Sequence, residues 1–130
     1  MNGKSETGKI GEDLACEYLI NRGYKIIRRN YRQKWGELDI IAKDPANTLV
    51  FVEVKAMRQN NAAIHPDRSI GVAELSPEDN LTAAKLIKTK RAASMYAGFH
   101  EDLIDESRGW RIDLVAIYLP SGKIKHYENL

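Results

Sequence analysis

The stretch that most constrains this chain is residues 49–55, Leu-Val-Phe-Val-Glu-Val-Lys, which is apolar up to two charges near its end. Valine and phenylalanine favour β-strands, and a strand that is apolar on both faces is typical of the buried centre of a sheet. The preceding residues 36–42, Gly-Glu-Leu-Asp-Ile-Ile-Ala, also predict a strand, and residues 43–48 are rich in turn formers. The sequence therefore predicts a β-hairpin with a buried second strand.

The geometry of this hairpin brings acidic residues together. With the turn centred near residue 46, antiparallel partners have positions that sum to about 92. Asp39 then lies opposite Glu53. Because side chains alternate between the faces of a strand, Asp39 is expected to share its face with Glu37 and Ile41. The hairpin therefore predicts two facing carboxylates near the end of a hydrophobic strand.

Facing carboxylates indicate a cation. Two carboxylates opposite each other in a sheet repel, and burying them without a partner is costly. Oxygen ligands of this kind suit Mg²⁺ or Mn²⁺. Lys55, two residues beyond Glu53, would then hold an attacking water or stabilise developing negative charge. The alternative is that Asp39 and Glu53 lie at exposed strand ends and that Lys55 merely neutralises Glu53.

Four short blocks resemble a known protein family: Gly11-Glu12-x-Leu14-Ala15, Gly36-Glu37-Leu38-Asp39, Phe51-Val52-Glu53-Val54-Lys55 and Arg111-Ile112-Asp113-Leu114-Val115. An acidic residue on one strand, followed by Glu-x-Lys on the next, is similar to the core motif of the restriction-endonuclease-like (PD-(D/E)xK) nuclease superfamily. The four blocks in this order resemble more closely the YraN-like family of small bacterial proteins, which is related in its core to archaeal Holliday junction resolvases. The resemblance spans nearly the whole chain but does not cover the connection after the hairpin.

The resemblance implies further site residues. The resemblance implies that Glu12, on the first helix, completes the acidic cluster. Without the resemblance, Glu12 would be interpreted as a solvated helix residue. Lys85 matches a lysine in the family's second helix and is expected near the scissile phosphate, although a plain surface lysine would need no such role. Glu37 is expected to help indirectly. The likeness to junction resolvases implies branched DNA as substrate and a two-fold homodimer.

A basic stretch precedes the hairpin. Residues 22–34 carry six lysines and arginines and no acidic residue. A solvated strand face is one interpretation, but a basic surface beside an acidic pocket suits a nucleic-acid backbone. Arg29 and Arg32 are the predicted backbone contacts.

Composition sets the broad class. The 130 residues predict one domain, residues 1–130, and the net charge of only +2 does not by itself indicate nucleic acid. The single cysteine, Cys16, excludes an internal disulfide and is predicted to be a small core residue. No apolar run is long enough to span a membrane, and no secretory segment is evident. We expect a cytoplasmic protein without a membrane partner.

The predicted elements alternate between helices and strands. A helix over about residues 5–22 has one apolar stripe, formed by Ile10, Leu14 and Tyr18 with Gly11, Ala15 and Leu19 beside them. The three strands that follow lead to a long irregular loop at about residues 57–75. A second helix over about residues 76–98 has Ala84 and Ile87 among its apolar positions. Two strands, at about 110–119 and 123–128, close the chain, and Asp113 on the first of them is expected to pair structurally with Arg111.

The fold class predicted from this order is α/β, with a restriction-endonuclease-like core. Its mixed β-sheet of about five strands is flanked by helices in the order α-β-β-β-α-β-β. The function predicted is a Mg²⁺- or Mn²⁺-dependent nuclease that hydrolyses DNA. The main alternative is a non-catalytic nucleic-acid-binding module on the same fold, and a third hypothesis is a protein–protein adaptor.

Overall fold

The computed structural model describes residues 6–58 and 83–130. The elements are α1 (Glu6–Asn21), β1 (Lys25–Gln33), β2 (Gly36–Lys43), β3 (Leu49–Arg58), α2 (Ala83–Phe99), a short 3₁₀ turn (Glu101–Leu103), β4 (Trp110–Leu119) and β5 (Lys123–Tyr127). The predicted order of helices and strands is confirmed. Neither described helix has the length and apolar character needed to cross a membrane.

The five strands of the described residues form one mixed sheet in the order β1-β2-β3-β4-β5. Neighbouring strands are antiparallel except β3 and β4, which are parallel. Parallel strands cannot be joined by a tight turn, and α2 lies in the connection between them. The strand β3 lies at the centre of the sheet, as its apolar sequence predicts.

Among the described residues, each face of the sheet packs against one helix. On one face Val50, Val52 and Val54 pack with α1 through Ala15, Cys16 and Leu19. On the other face Leu49 and Phe51 pack with α2 through Ala92, Ala93, Tyr96 and Ala97. The prediction that β3 is apolar on both faces is confirmed. Burial raises the pKa of the Cys16 thiol, which is consistent with its predicted place in the core.

The buried face of α1 follows the predicted stripe except at Ile10. Ile10 is 37% exposed, and the buried residues are Gly11, Glu12, Ala15, Cys16 and Leu19. The cause is the close approach of the helix to β3. A Cβ added at Gly11 would lie 2.5 Å from the Cβ of Ala56. The helix therefore contacts the sheet through its smallest residue, and the larger Ile10 turns toward solvent.

Two of the apolar positions named for α2 are also exposed. Ile87 is 58% exposed and Ala84 is also exposed, whereas the buried residues are Thr89, Ala92, Ala93, Tyr96 and Ala97. Three alanines allow the helix backbone to approach the sheet, and the ring of Tyr96 fills the remaining space. Its centroid lies 5.0 Å from that of Tyr31 and 5.8 Å from that of Phe51, in edge-to-face contacts.

The first two residues of the irregular loop predicted at about residues 57–75 belong to a strand instead. Met57 and Arg58 belong to β3, where Met57 is buried and pairs with Tyr118 of β4. The parallel partner strand continues the hydrogen-bonded ladder past the point where the apolar pattern weakens. The rest of that loop, and the predicted start of the second helix at Ser76, lie outside the described residues.

A buried ionic cluster ties the start of β4 to its surroundings. The carboxylate of Asp113 is fully buried and accepts hydrogen bonds from Arg111 Nε (2.9 Å) and from the backbone N–H of Asn129 (3.0 Å). His126 Nε2 lies 2.8 Å from the same carboxylate, and Arg111 also binds Asp44 at 2.7 Å. The structural pairing of Arg111 with Asp113 is thus confirmed. Although burial opposes the charge, these partners lower the pKa of Asp113.

Candidate active site

A pocket of about 760 Å³ opens beside the end of the hairpin. It is bounded by the start of α1, by β2 and β3, and by the first turns of α2. Five of the residues predicted for a site line it together: Glu37, Asp39, Glu53, Lys55 and Lys85. Glu12, Arg29 and Arg32 are not among its lining residues.

The register of the hairpin places the acidic residues in this pocket. The paired residues of β2 and β3 run from Lys43↔Leu49 to Ile40↔Val52, which is the predicted register. The ladder ends there, so Asp39 and Glu53 follow directly after its last pair. Beyond it, the backbone N–H of Val54 donates a hydrogen bond of 2.9 Å to Asp39 Oδ2. The carboxylate of Asp39 thereby joins the two strands where their ladder stops.

Strict alternation along β2 breaks next to Asp39. Ile41 and Leu38, three residues apart, lie in the same hydrophobic cluster. The prediction that Glu37, Asp39 and Ile41 share one face therefore does not hold in its simple form. The break has a local cause on β1, because Asn30, which the register places across from Asp39, has a left-handed backbone (φ 53°). A residue in that conformation interrupts the pleat of a strand.

The two central carboxylates are buried. Asp39 is 7% exposed and Glu53 is 6% exposed, so neither lies at an exposed strand end. Lys85 Nζ of α2 forms a salt bridge of 2.8 Å with Glu53 Oε2. Burial works against the charge of Lys85, but its hydrogen bond to Glu53 and the charges of Glu53, Asp39 and Glu37 outweigh it and raise the pKa of Lys85. The pocket therefore holds buried negative charge with an ammonium group already paired to it.

Glu12 has a different environment. Its side chain is buried between α1 and β1, where Glu12 Oε1 accepts hydrogen bonds from Arg29 Nη2 (3.0 Å) and Asn30 Nδ2 (2.9 Å). Arg29 Nη2 also binds Asp13 at 2.7 Å. Glu12 is thus connected, through Asn30, to the strand position across from Asp39, although it does not line the pocket.

The two arginines predicted to contact a nucleic-acid backbone differ in their position relative to the pocket. Arg29 is engaged with the carboxylates of Glu12 and Asp13. Arg32 is exposed and pairs across the sheet with Glu37, a pocket residue. Because paired residues on adjacent strands are neighbours, Arg32 adjoins the pocket and Arg29 does not.

Several residues that line the pocket were not predicted as site residues, among them Thr7, Gly8, Lys88 and Thr89. A helical spacing could have revealed Lys88 and Thr89, which follow Lys85 by three and four residues and therefore share its face. No pattern in the sequence indicates that Thr7 and Gly8, at the start of α1, meet the end of β3.

The carboxylates of the pocket suit a divalent cation that takes only some of its ligands from the protein. Within residues 6–58 and 83–130, no group of three or more His, Cys, Asp and Glu side chains is arranged to hold a metal ion. Asp39 and Glu53 nevertheless offer two buried carboxylates in one open pocket. Mg²⁺ usually binds one or two carboxylates and completes its shell with water and substrate phosphates. The pocket therefore suits Mg²⁺ or Mn²⁺ better than a metal that needs a closed protein cage.

Comparison with known proteins identifies the family. The family model described as "Uncharacterised protein family UPF0102" matches residues 11–117. A UPF0102 protein of Syntrophus aciditrophicus is 36% identical over 121 residues, which cover 88% of this chain and 89% of the relative. A UPF0102 protein of Renibacterium salmoninarum is 36% identical over 130 residues, which cover 100% of this chain and 97% of the relative. The chain therefore belongs to the uncharacterised protein family UPF0102, the YraN-like family whose sequence blocks it shares.

Proposed function

We propose that this protein is a metal-dependent nuclease that hydrolyses DNA phosphodiester bonds and uses Mg²⁺ or Mn²⁺. The observation that carries the proposal is the convergence of Asp39, Glu53 and Lys55 on one open pocket, with both carboxylates buried. Burying two carboxylates in one place is costly unless a cation offsets their repulsion. A phosphodiester that enters the pocket would meet that cation and the ammonium groups of the rim together.

The residues of the pocket divide the chemistry between them. A bound metal would polarise the scissile phosphate and lower the pKa of a coordinated water. Asp39 and Glu53 are the ligands, and the N–H of Val54 fixes the orientation of Asp39. Lys55 holds the attacking water or stabilises the charge that develops on the phosphate. Glu37 adds negative charge at the rim.

The residues outside the pocket have supporting roles in this proposal. Glu12 supports the acidic cluster through Asn30, which faces Asp39 across the strands. Arg29 keeps Glu12 in place, and Arg32 is the better candidate for a contact with the DNA backbone because it adjoins Glu37.

Branched DNA is the substrate class that the resemblance to junction resolvases favours. Symmetric cutting of two strands requires two copies of the site related by a two-fold axis, so the proposal includes a homodimer on DNA. A cytoplasmic location is part of the same proposal.

A non-catalytic nucleic-acid-binding module is the second candidate. The salt bridge between Lys85 and Glu53 favours it, because one buried carboxylate already has a cationic partner from the protein itself. In that case, the rim would bind phosphates without any chemistry. The remaining carboxylates argue against it, since they repel the backbone that such a module has to bind.

Cleavage and binding assays separate the two candidates. Labelled linear, flapped and four-way DNA would be incubated with the protein and Mg²⁺ or Mn²⁺. We expect Asp39→Asn to reduce cleavage at least about a hundredfold while DNA binding persists. Asp102→Asn, an exposed acid outside the pocket, is the matched control and should cleave like the wild type. If no preparation cleaves any of the DNAs while binding remains strongly salt-dependent, the nuclease is wrong and the binding module stands.

A further inference from the structure

Lys85 already binds one of the two carboxylates that would hold a metal ion. Its Nζ lies 2.8 Å from Glu53 Oε2, and the Lys85 side chain reaches the buried carboxylate from the far side of the pocket, on α2. A divalent cation bound to the same carboxylate would lie next to this ammonium. Two cations at contact distance repel strongly where little water screens them. They therefore compete for Glu53.

The side chain of Lys85 can change its rotamer while its helix stays in place. The side chain of Lys85 is 45% exposed and has a flexible four-carbon stem. The helix below it is anchored, because Thr89, Ala92 and Ala93 are buried against the sheet. A change of rotamer can therefore carry the ammonium from Glu53 toward the open side of the pocket without moving α2.

We propose that Lys85 is an exchangeable cation: it neutralises Glu53 before metal binds, and metal binding releases it to contact a phosphate of the substrate. This inference rests on the proposed nuclease function and adds an order of events to it. Lys85 opposes the binding of metal to the free protein. Once a metal ion has taken its place, the same lysine strengthens the binding of DNA. Metal and DNA then bind cooperatively because each favours the same position of Lys85.

The first test is the affinity of the free protein for Mn²⁺, measured by calorimetry. Lys85→Met keeps the apolar stem and removes the charge, and it should bind Mn²⁺ about three- to tenfold more tightly than the wild type. Lys88→Met removes the same charge from the same pocket, three residues along α2, and should change the affinity less than about twofold. Asp39→Asn should weaken binding severely.

The second test is the affinity for a short DNA duplex, measured by fluorescence anisotropy with Ca²⁺, which permits binding without cleavage, and with EDTA. Lys85→Met should weaken DNA binding about fivefold or more in Ca²⁺ and less than about twofold in EDTA. Lys88→Met should have the same effect in both conditions. Opposite effects of one substitution on metal and on DNA would not arise from a merely structural lysine.

The outcomes distinguish this inference from the function on which it rests. If Lys85→Met binds Mn²⁺ no more tightly than the wild type while Asp39→Asn loses it, the exchange is wrong and the metal site stands. Equal effects of Lys85→Met and Lys88→Met would also overturn the exchange, because they would reflect the overall positive charge of the pocket and not the salt bridge between Lys85 and Glu53. If no variant binds Mn²⁺, alone or with DNA, both the exchange and the proposed nuclease fail.

Discussion

Gly11 is the point at which α1 comes closest to the sheet, and replacing it tests how the helix is positioned. A Cβ at this position would lie 2.5 Å from the Cβ of Ala56, whereas non-bonded carbons prefer about 3.5–4.0 Å. Ala56 has no flexible side chain that could yield, so helix and strand must separate by about 1 Å. Overpacking of this kind costs about 1–3 kcal/mol, against which the higher helix propensity of alanine returns about 1 kcal/mol. We expect Gly11→Ala to lower the free energy of unfolding by up to about 2 kcal/mol.

A double-mutant cycle isolates the contact. Ala56→Gly removes the atom that the new Cβ would meet, so in that background Gly11→Ala should be neutral or stabilising by up to about 1 kcal/mol. The expected coupling energy is about 1–3 kcal/mol. The four proteins would be compared by urea unfolding followed by circular dichroism. Gly98→Ala on α2, where no atom lies within 4 Å of the added Cβ, is the matched control.

Two results would refute this account of Gly11. One is a Gly11→Ala protein as stable as Gly98→Ala, which would mean that the helix accommodates the methyl group without loss. The other is a coupling energy with Ala56→Gly below about 0.5 kcal/mol, which is the usual error of additivity. Because Ala56 and Gly8 both line the pocket, a shift of α1 away from β3 would also move two of its walls.

Two further predictions concern stability. Asp113→Ala leaves Arg111 partly buried without its main partner and should cost about 3–5 kcal/mol in urea unfolding near neutral pH. Folding lowers the pKa of Asp113, so this carboxylate contributes its full stabilisation above the ordinary pKa of about 3.9 and loses it as the pH falls through the folded pKa. The difference in unfolding free energy between wild type and variant should therefore shrink in acid. A difference independent of pH would contradict this. Gly36→Ala should be destabilising by about 1–2 kcal/mol, because Gly36 has φ +147° and an added Cβ would lie 3.1 Å from Ala92. Gly109→Ala, at φ +70° in open space, shares only the backbone strain and should cost less in the same measurement.

The hairpin shows how far sequence patterns reach. The register that pairs Ile40 with Val52 follows from the apolar pattern and the position of the turn, because both are local properties of the chain. The same pattern failed at Leu38, where a left-handed residue on the neighbouring strand breaks the alternation. The sequence of one strand does not reveal the backbone conformation of the strand beside it.

The contacts of the helices could be predicted less well from the sequence than the hairpin. Ile10 and Ile87 are apolar positions of the two predicted helices, but both are exposed, because small residues determine where each helix approaches the sheet. Lys85 matched a family position, yet only the structure shows its salt bridge with Glu53. Arg29 belonged to an evident basic stretch, but its pairing with Glu12 depends on how α1 crosses β1.

The sequence by itself determined the order of the elements, the central place of β3 and the placement of Asp39 and Glu53 at the same end of the hairpin. These depend on apolar runs, turn residues and the two-residue period of a strand, which act over short distances along the chain. Only the tertiary structure decided which helix faces are buried and which cations meet which carboxylates. Those contacts join residues far apart in sequence. They are fixed by the close packing of the helices on the sheet, which cannot be inferred from any single segment of the chain.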